Sequence, residues 1–508
     1  MDGFTMMTLE RQKTPFRAGE VMAALLLVQP LLDVLSYFMQ EAGTTAFTTA
    51  LRMVLLAAVS LYGFVITDRK KPVLALYAVA LAFWVIHMIG CFRQGYQDPV
   101  GDAAEYLKLL QFPLWTAAFS AMLRQGQDLD RRAVACLVGD FLLILFIIAL
   151  SFGLGMPVYT YDYPDRGIQL GILGWFGVAN AQSAIVLVLG APLLLWGYRS
   201  GKLWVFTLCA AGGFSLLYFT GTRLTYFGAI LLAGGFFVLV FLGRKRWVFC
   251  LPLAVALALL VAFQGMSPMA ARQAMSVDSY SYYEELTQQY LGEDSDFVYR
   301  EGEEIPPEVL EKIRDLYTEV YGKRGIYNTM LLGDLIQEFG VDRVMEEYGY
   351  TVDGELLYDV RDKKLHALHL VWEDQDLFTH LFGFEYAKAQ IGVTNYDPEN
   401  DFPALRYFYG YVGAALYVGY CLYFPLLALW HLVRKLRSFF SYPWVEAGTY
   451  LAMLAFGFGA AQFSGQVLRK PSVTVYLSLA AALLLGLFSR EREPLEKGEE
   501  PVVLPGKM

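Results

Sequence analysis

Twelve apolar stretches, each near the roughly 20 residues that a helix needs to cross a bilayer, constrain this chain more than any other feature. They run 19–39, 44–66, 72–92, 104–123, 133–154, 174–196, 202–219, 222–242, 247–264, 403–430, 445–463 and 472–488. Inside hydrocarbon every backbone N–H and C=O must be satisfied within the protein, so stretches of this length fold as helices. Only 18% of the 508 residues are charged and mean hydropathy is +0.41, too apolar for a surface wetted all over. The predicted fold class is all-α: a polytopic transmembrane helix bundle of about 12 spans with one large, mainly helical extracytoplasmic domain. The first stretch could be taken for a signal peptide, but it is long, lacks a small-residue cleavage site and is followed by further spans, so it is read as retained.

Loop charges set the direction, because Lys and Arg near span ends favour the cytoplasmic side. Alternate loops are basic: Arg11, Lys13 and Arg17, then Arg69/Lys70/Lys71, Arg124/Arg131/Arg132, Arg199/Lys202, Arg244/Lys245/Arg246, Arg434/Lys435/Arg437 and Arg490/Arg492. Both termini are therefore expected in the cytoplasm, with the chain a multi-pass protein of the cell (cytoplasmic) membrane. Residues 1–264 hold spans one to nine, 265–402 an external domain, 403–492 the last three spans and 493–508 a cytoplasmic tail. The external segment carries 29 acidic against 11 basic residues, net −18, whereas the remainder has 20 against 29, net +9. An acidic outer domain argues against nucleic acid or anionic lipid as its main partner. Cys91, Cys136, Cys209, Cys250 and Cys421 all lie in or at the ends of spans, which leaves the outer domain without a disulfide framework.

Within that domain the spacing predicts helices. Val309, Leu310, Ile313, Leu316, Tyr317 and Val320 recur at helical period after Pro306-Pro307, and Leu331, Leu332, Leu335, Ile336 and Phe339 repeat the pattern. A third helix is expected from about Asp362 to His380, with Leu365, Leu368 and Trp372 on one face. It also aligns His366, His369 and Glu373. A solvated face is the reading preferred there over zinc, which needs at least three ligands. Tyrosines crowd 280–299; they suit stacking on sugars and equally suit ordinary packing.

Ionisable residues inside spans are costly and mark function by default. Asp33, Arg52, His87 and Lys108 fall in the outer half of the membrane, and Arg469/Lys470 lie between the last two spans, which suggests a polar cavity opening outward. Structural pairs such as Asp33 with Arg52 account for the same residues. Asp140 sits nearer the cytoplasmic end, where Arg131 or Arg132 is its expected partner.

Two motifs carry chemistry. Between spans seven and eight the chain reads Tyr218-Phe-Thr-Gly-Thr-Arg-Leu-Thr-Tyr226, placing Thr220, Thr222 and Arg223 at a helix N-terminus. A helix N-terminus with an arginine fork suits a diphosphate, although an arginine at this depth also serves as a lipid anchor. After the acidic segment comes Asp397-Pro-Glu399-Asn400-Asp401-Phe402, then Tyr409-Gly410-Tyr-Val-Gly413. A carboxylate at the mouth of a membrane helix could accept a proton from an attacking hydroxyl, and the glycines allow close helix approach. Alternatively the cluster caps the tenth span through Asn400 or Asp401.

Arg223 in its Thr-Gly-Thr-Arg setting, and Glu399-Asn400 followed by Gly410 and Gly413, resemble the O-antigen ligase/O-antigen polymerase superfamily of membrane glycosyltransferases. The usual motif has His-Asn where this chain has Glu399-Asn400, so the histidine's role does not carry over directly. The Glu-Asn-Asp-Phe form is similar to variants common in Gram-positive capsule and wall-polysaccharide loci. Val360-Arg361-Asp362 followed by Leu381-Phe-Gly-Phe384 looks like the arginine-then-glycine passage that precedes the family's catalytic motif. The resemblance implies transfer of an undecaprenyl-diphosphate-linked glycan to an acceptor glycan or wall polymer on the outer face, without metal or other cofactor. On that reading Arg223 and Arg361 neutralise the departing diphosphate and Glu399 or Asp401 handles the acceptor proton. Thr222, Asn400, Lys108, Arg469 and Lys470 are then the expected substrate-binding residues. A flippase of lipid-linked glycans and a non-catalytic envelope assembly protein are the rival classes; the missing inverted repeat and the sizeable outer domain count against the first.

Overall fold

The computed structural model describes residues 17–490 apart from 45, 127, 244–245, 301, 324–331 and 436–442. Arg11, Lys13, Arg244, Lys245, Leu331, Arg437, Arg492 and the tail 493–508 lie outside the described residues. Among the described residues the regular structure is helical but for two small hairpins. The first apolar stretch forms α1 (Ala18–Leu27) and α2 (Gln29–Glu41), broken at Val28 because Pro30 has no N–H to give the preceding turn. There the Gln29 amide donates to the Leu25 carbonyl at 2.9 Å. Next come α3 (Ala46–Ile66), α4 (Lys70–Arg93), α5 (Pro99–Leu123) and α6 (Leu129–Gly153). A hairpin of β1 (Tyr161–Tyr163) and β2 (Ile168–Leu170) leads into α7 (Ala179–Arg199), α8 (Leu203–Thr220), α9 (Arg223–Leu242) and α10 (Cys250–Ala262).

Beyond the bundle stand α11 (Pro268–Leu291), α12 (Pro307–Asp315), α13 (Gly333–Phe339), α14 (Val341–Glu347), α15 (Gly354–Tyr358), α16 (Val360–Glu373) and α17 (Leu377–Phe382). A second hairpin, β3 (Gln390–Ile391) and β4 (Thr394–Asn395), precedes α18 (Asp401–Arg434), α19 (Trp444–Phe463) and α20 (Pro471–Arg490).

Among the described residues nine helices are long and apolar enough to cross a membrane: α1 with α2, α3, α4, α6, α7, α8, α9, α18 and α20. This makes the chain a multi-pass membrane protein. The other three expected stretches are helical as well, but α10 has 13 residues, α5 carries Asp102, Glu105 and Lys108, and α19 is diluted by glycine. The most buried spans are α7 and α20. Both are apolar over most of their circumference, as helices enclosed by other helices must be, with Gln182, Ser183, Thr474 and Ser478 as buried polar exceptions. Around them packs one continuous core, which Leu368, Trp372, Phe384 and Ala389 also join, while other residues between Tyr283 and Tyr396 form a second core in the segment after α10.

Arg69, Arg124 and Arg199 lie at one end of the bundle. Gln125 donates to the Ile66 carbonyl, a common cavity is lined by Arg69, Arg124, His431 and Phe488, and Arg199 faces Glu446 at 3.5 Å. At the opposite end Arg361 of α16 reaches the carbonyls that end α19.

Two sequence expectations are corrected. The helix predicted from Asp362 to His380 ends at Glu373, because Asp376 starts a new one by accepting from the Thr379 N–H at 2.9 Å. Asp140 is fully buried and, among the described residues, pairs with neither Arg131 nor Arg132; Tyr476 is the polar side chain beside it.

Candidate functional site

Why α18 starts where it does is decided by Asp401. Its carboxylate is wholly buried, with Oδ2 accepting from the Val467 and Leu468 N–H groups at 2.6 and 2.8 Å and Oδ1 from Arg469 Nε at 3.0 Å. Arg469, 2% exposed, also donates to Asp397 at 2.6 Å and to the Pro398 carbonyl at 2.5 Å. This clasp ties the residues before α18 to the link between α19 and α20. Asn400 occupies the N-cap position, yet its side chain makes no capping bond and its buried Oδ1 has no partner.

Glu399, two residues from Asp401, points elsewhere. It is about one-third exposed and meets Arg361 Nε at 2.9 Å, Lys364 Nζ at 3.4 Å and the Asn180 amide at 3.5 Å. Arg361 is held at the start of α16, where Asp359 accepts from the Arg361 N–H at 2.7 Å. Its guanidinium is steered by the Phe463 and Ser464 carbonyls at 3.0 and 2.9 Å.

Arg223 is exposed at the first position of α9. The turn before it is enforced by Gly221 at φ +77°, where a Cβ would meet Pro268 at 2.7 Å. Thr222 does not face outward: its buried hydroxyl donates to Ser183 at 3.0 Å and caps Thr225 N–H at 3.2 Å. The Tyr161 hydroxyl in β1 lies within the fields of Arg272, Arg361 and Arg223. Burial pushes that phenol up, and the three guanidinium charges pull it partly back. Arg272 stacks on Tyr161 and Tyr163 at 5.4 and 5.7 Å. An arginine and a lysine on one accessible carboxylate, with the charges of Arg272 and Arg223 felt at nearby Tyr161, form an arginine cradle able to hold a polyanion and accept a proton next to it.

Lys108, Arg469 and Lys470 lie apart from this cradle. They line a cavity of about 200 Å³ with Asp33 and Arg52, which pair at 2.6 Å. His87, expected to share that cavity, instead joins Asp102 at 3.0 Å and the Phe382 carbonyl at 2.8 Å.

Two groups have ligand types suited to a metal: His87, Cys91 and Asp102, and Glu347, His369 and Glu373. In the second, His366, His369 and Glu373 keep a partly exposed face, and Glu347 of α14 packs against the two histidines from the inner side. Glu347 bridges His366 and His369 at 2.6 and 2.7 Å, and Arg343 sits 3.6 Å from Glu373.

Sequence reasoning missed Arg272, Lys364, Asn180 and Tyr161. Lys364 was available as the residue one turn after Arg361; the other three come from distant elements with no shared motif. The family model described as "O-antigen ligase like membrane protein" matches residues 19–491. Comparison with curated proteins gives no match.

Proposed function

Because this chain belongs to the O-antigen ligase-like membrane proteins, we propose that it is a metal-independent glycosyltransferase using undecaprenyl-diphosphate-linked glycans on the outer face of the membrane. The acceptor is a hydroxyl of a second glycan or wall polymer. The observation that carries this reading is the half-exposed Arg361 held 2.9 Å from Glu399, with Lys364 3.4 Å from the same carboxylate.

In the proposed step the diphosphate of the donor lies against the arginine cradle. By competing for Arg361 it frees Glu399 from its ion pair. The acceptor oxygen attacks the anomeric carbon, its proton passes to Glu399, and the anomeric C–O bond breaks with its electron pair going to the diphosphate. The developing negative charge is met by preorganised guanidinium groups. Asp401 is an unsuitable base because its oxygens already accept three hydrogen bonds in a site without solvent. We assign it to positioning Arg469 and the start of α18.

The test is transfer by purified protein in detergent, with a synthetic undecaprenyl-diphosphate oligosaccharide and chelator present. Lengthened or ligated glycan is the expected product. Carrier movement across vesicles without transfer would identify a flippase instead, and neither would leave an assembly role.

A further inference from the structure

We propose that the cavity enclosed by α2, α3, α5, α7 and α20 is a second oxyanion site, for a phosphate group, distinct from the arginine cradle around Tyr161. At about 200 Å³ it far exceeds the roughly 10–15 Å³ that a single water needs. Several donors in its lining lack acceptors. Gln182 is 3% exposed and, among the described residues, its amide nitrogen has no partner; Arg52 uses one terminal nitrogen on Asp33 and leaves the other, Nη1, buried and likewise without a partner there. Lys108 is paired with Glu105, and Arg469 turns towards Asp397 and Asp401. Among the described residues, no carboxylate hydrogen-bonds Lys470. Burial, then the neighbouring charges of Lys108 and Arg469, hold its ammonium below the ordinary lysine range against the opposing pull of Glu105 and Asp397.

The backbone adds to the same field. Gly177 and Val178 at the start of α7, and Pro471 and Ser472 at the start of α20, belong to the cavity wall. The positive ends of two long helices therefore meet there, and α7 has no side-chain cap. Asp33 is the single carboxylate in the lining, and Arg52 already neutralises it.

Unpaired donors approaching from α3, α7 and the link before α20 call for a ligand that only accepts. A phosphate, with oxygens in several directions, matches that better than a planar carboxylate or a sugar, whose hydroxyls must also donate. The first turn of α7 carries both Asn180, which reaches Glu399, and Gln182. The chain thus has two phosphate sites on either side of one helical turn. Membrane phospholipid and soluble phosphate are both sources of such a group.

Calorimetric titration of the detergent-solubilised full chain with inorganic phosphate and with dihexanoyl phosphatidate tests the assignment. At matched ionic strength, at least one of the two probes should bind. Lys470→Gln and Gln182→Glu, the latter facing the ligand with a carboxylate, should each weaken that binding by about tenfold or more. Lys470→Arg should retain it, and the double variant Arg223→Lys/Arg361→Lys should keep the cavity component. Melting temperatures at the wild-type value separate lost binding from lost fold. Tighter binding of the lipid probe identifies a lipid phosphate as the occupant; binding of inorganic phosphate alone identifies a soluble one. Wild-type affinity in both Lys470→Gln and Gln182→Glu, or no binding of either probe by the wild type, would overturn the proposal. None of these readouts requires glycan transfer, so a failed transferase assay leaves them standing.

Discussion

Glu399 and Asp401 lie two residues apart in opposite circumstances, one solvent-facing among cations, the other sealed in a clasp. Glu399→Gln keeps the shape and hydrogen bonding but removes the base, so transfer should fall by about 10²–10⁴-fold with the melting temperature unchanged. Glu399→His restores a base with a reference pKa of about 6.5 and should recover part of the rate. Asp401→Asn leaves buried Arg469 short of a counter-charge, which costs about 3–5 kcal/mol when one partner of a buried pair is removed. Its signature is a lowered melting temperature in detergent and loss of folded protein. Normal folding of Asp401→Asn with transfer abolished would make Asp401 the base. Arg361→Lys keeps the charge but cannot serve Glu399, Phe463 and Ser464 together. Turnover should drop by about tenfold or more while membrane abundance stays normal, measured as product formed per unit of purified protein.

Helix α18 shows what element-scale patterns conceal. The glycines at 410 and 413 were legible as close-approach residues, and Gly410 indeed meets the backbone of Leu381, where a Cβ would lie 2.4 Å away. Its φ of +65° was not legible: the break it makes in α18 is dictated by α17, which an apolar run cannot announce. Gly410→Ala combines that collision with a backbone conformation costing an L-residue of order 1–3 kcal/mol. It should lower the melting temperature and weaken transfer together. Spans were readable because hydrocarbon demands long apolar helices. The end of α16 at Glu373 turned on one capping carboxylate, and Glu347 between His366 and His369 turned on a partner 19 and 22 residues away. For Glu347, burial alone would raise the carboxyl, but hydrogen bonds and charge from the two histidines outweigh it, so the net shift is below the reference value of 4.5. A carboxyl lowered on folding contributes stability that is present above 4.5 and lost as pH falls through its folded-state value. Thermal unfolding followed from about pH 6 to pH 3 should show this loss in the wild type and a smaller one in Glu347→Gln.

At the scale of the whole molecule, the overall charge of −9 conceals two bodies of opposite sign. The acidic segment builds its own apolar core, while Arg199, Arg124 and Arg69 lie at the far end of the bundle. Lys and Arg within a few residues of span ends are retained on the cytoplasmic side, whereas acidic residues contribute little to orientation. The end bearing Arg69 and Arg124 is therefore expected to face the cytoplasm, and Glu303 the exterior. A protease-cleavable tag inserted beside the exposed Glu303 should be cut when protease is added to intact spheroplasts. The same tag after Arg437 should be cut only once the membrane is permeabilised. Cutting at Arg437 in intact cells, with Glu303 protected, would invert the whole chain. It would put the arginine cradle and Glu399 on the cytoplasmic face, where a glycan already carried outward could not reach them.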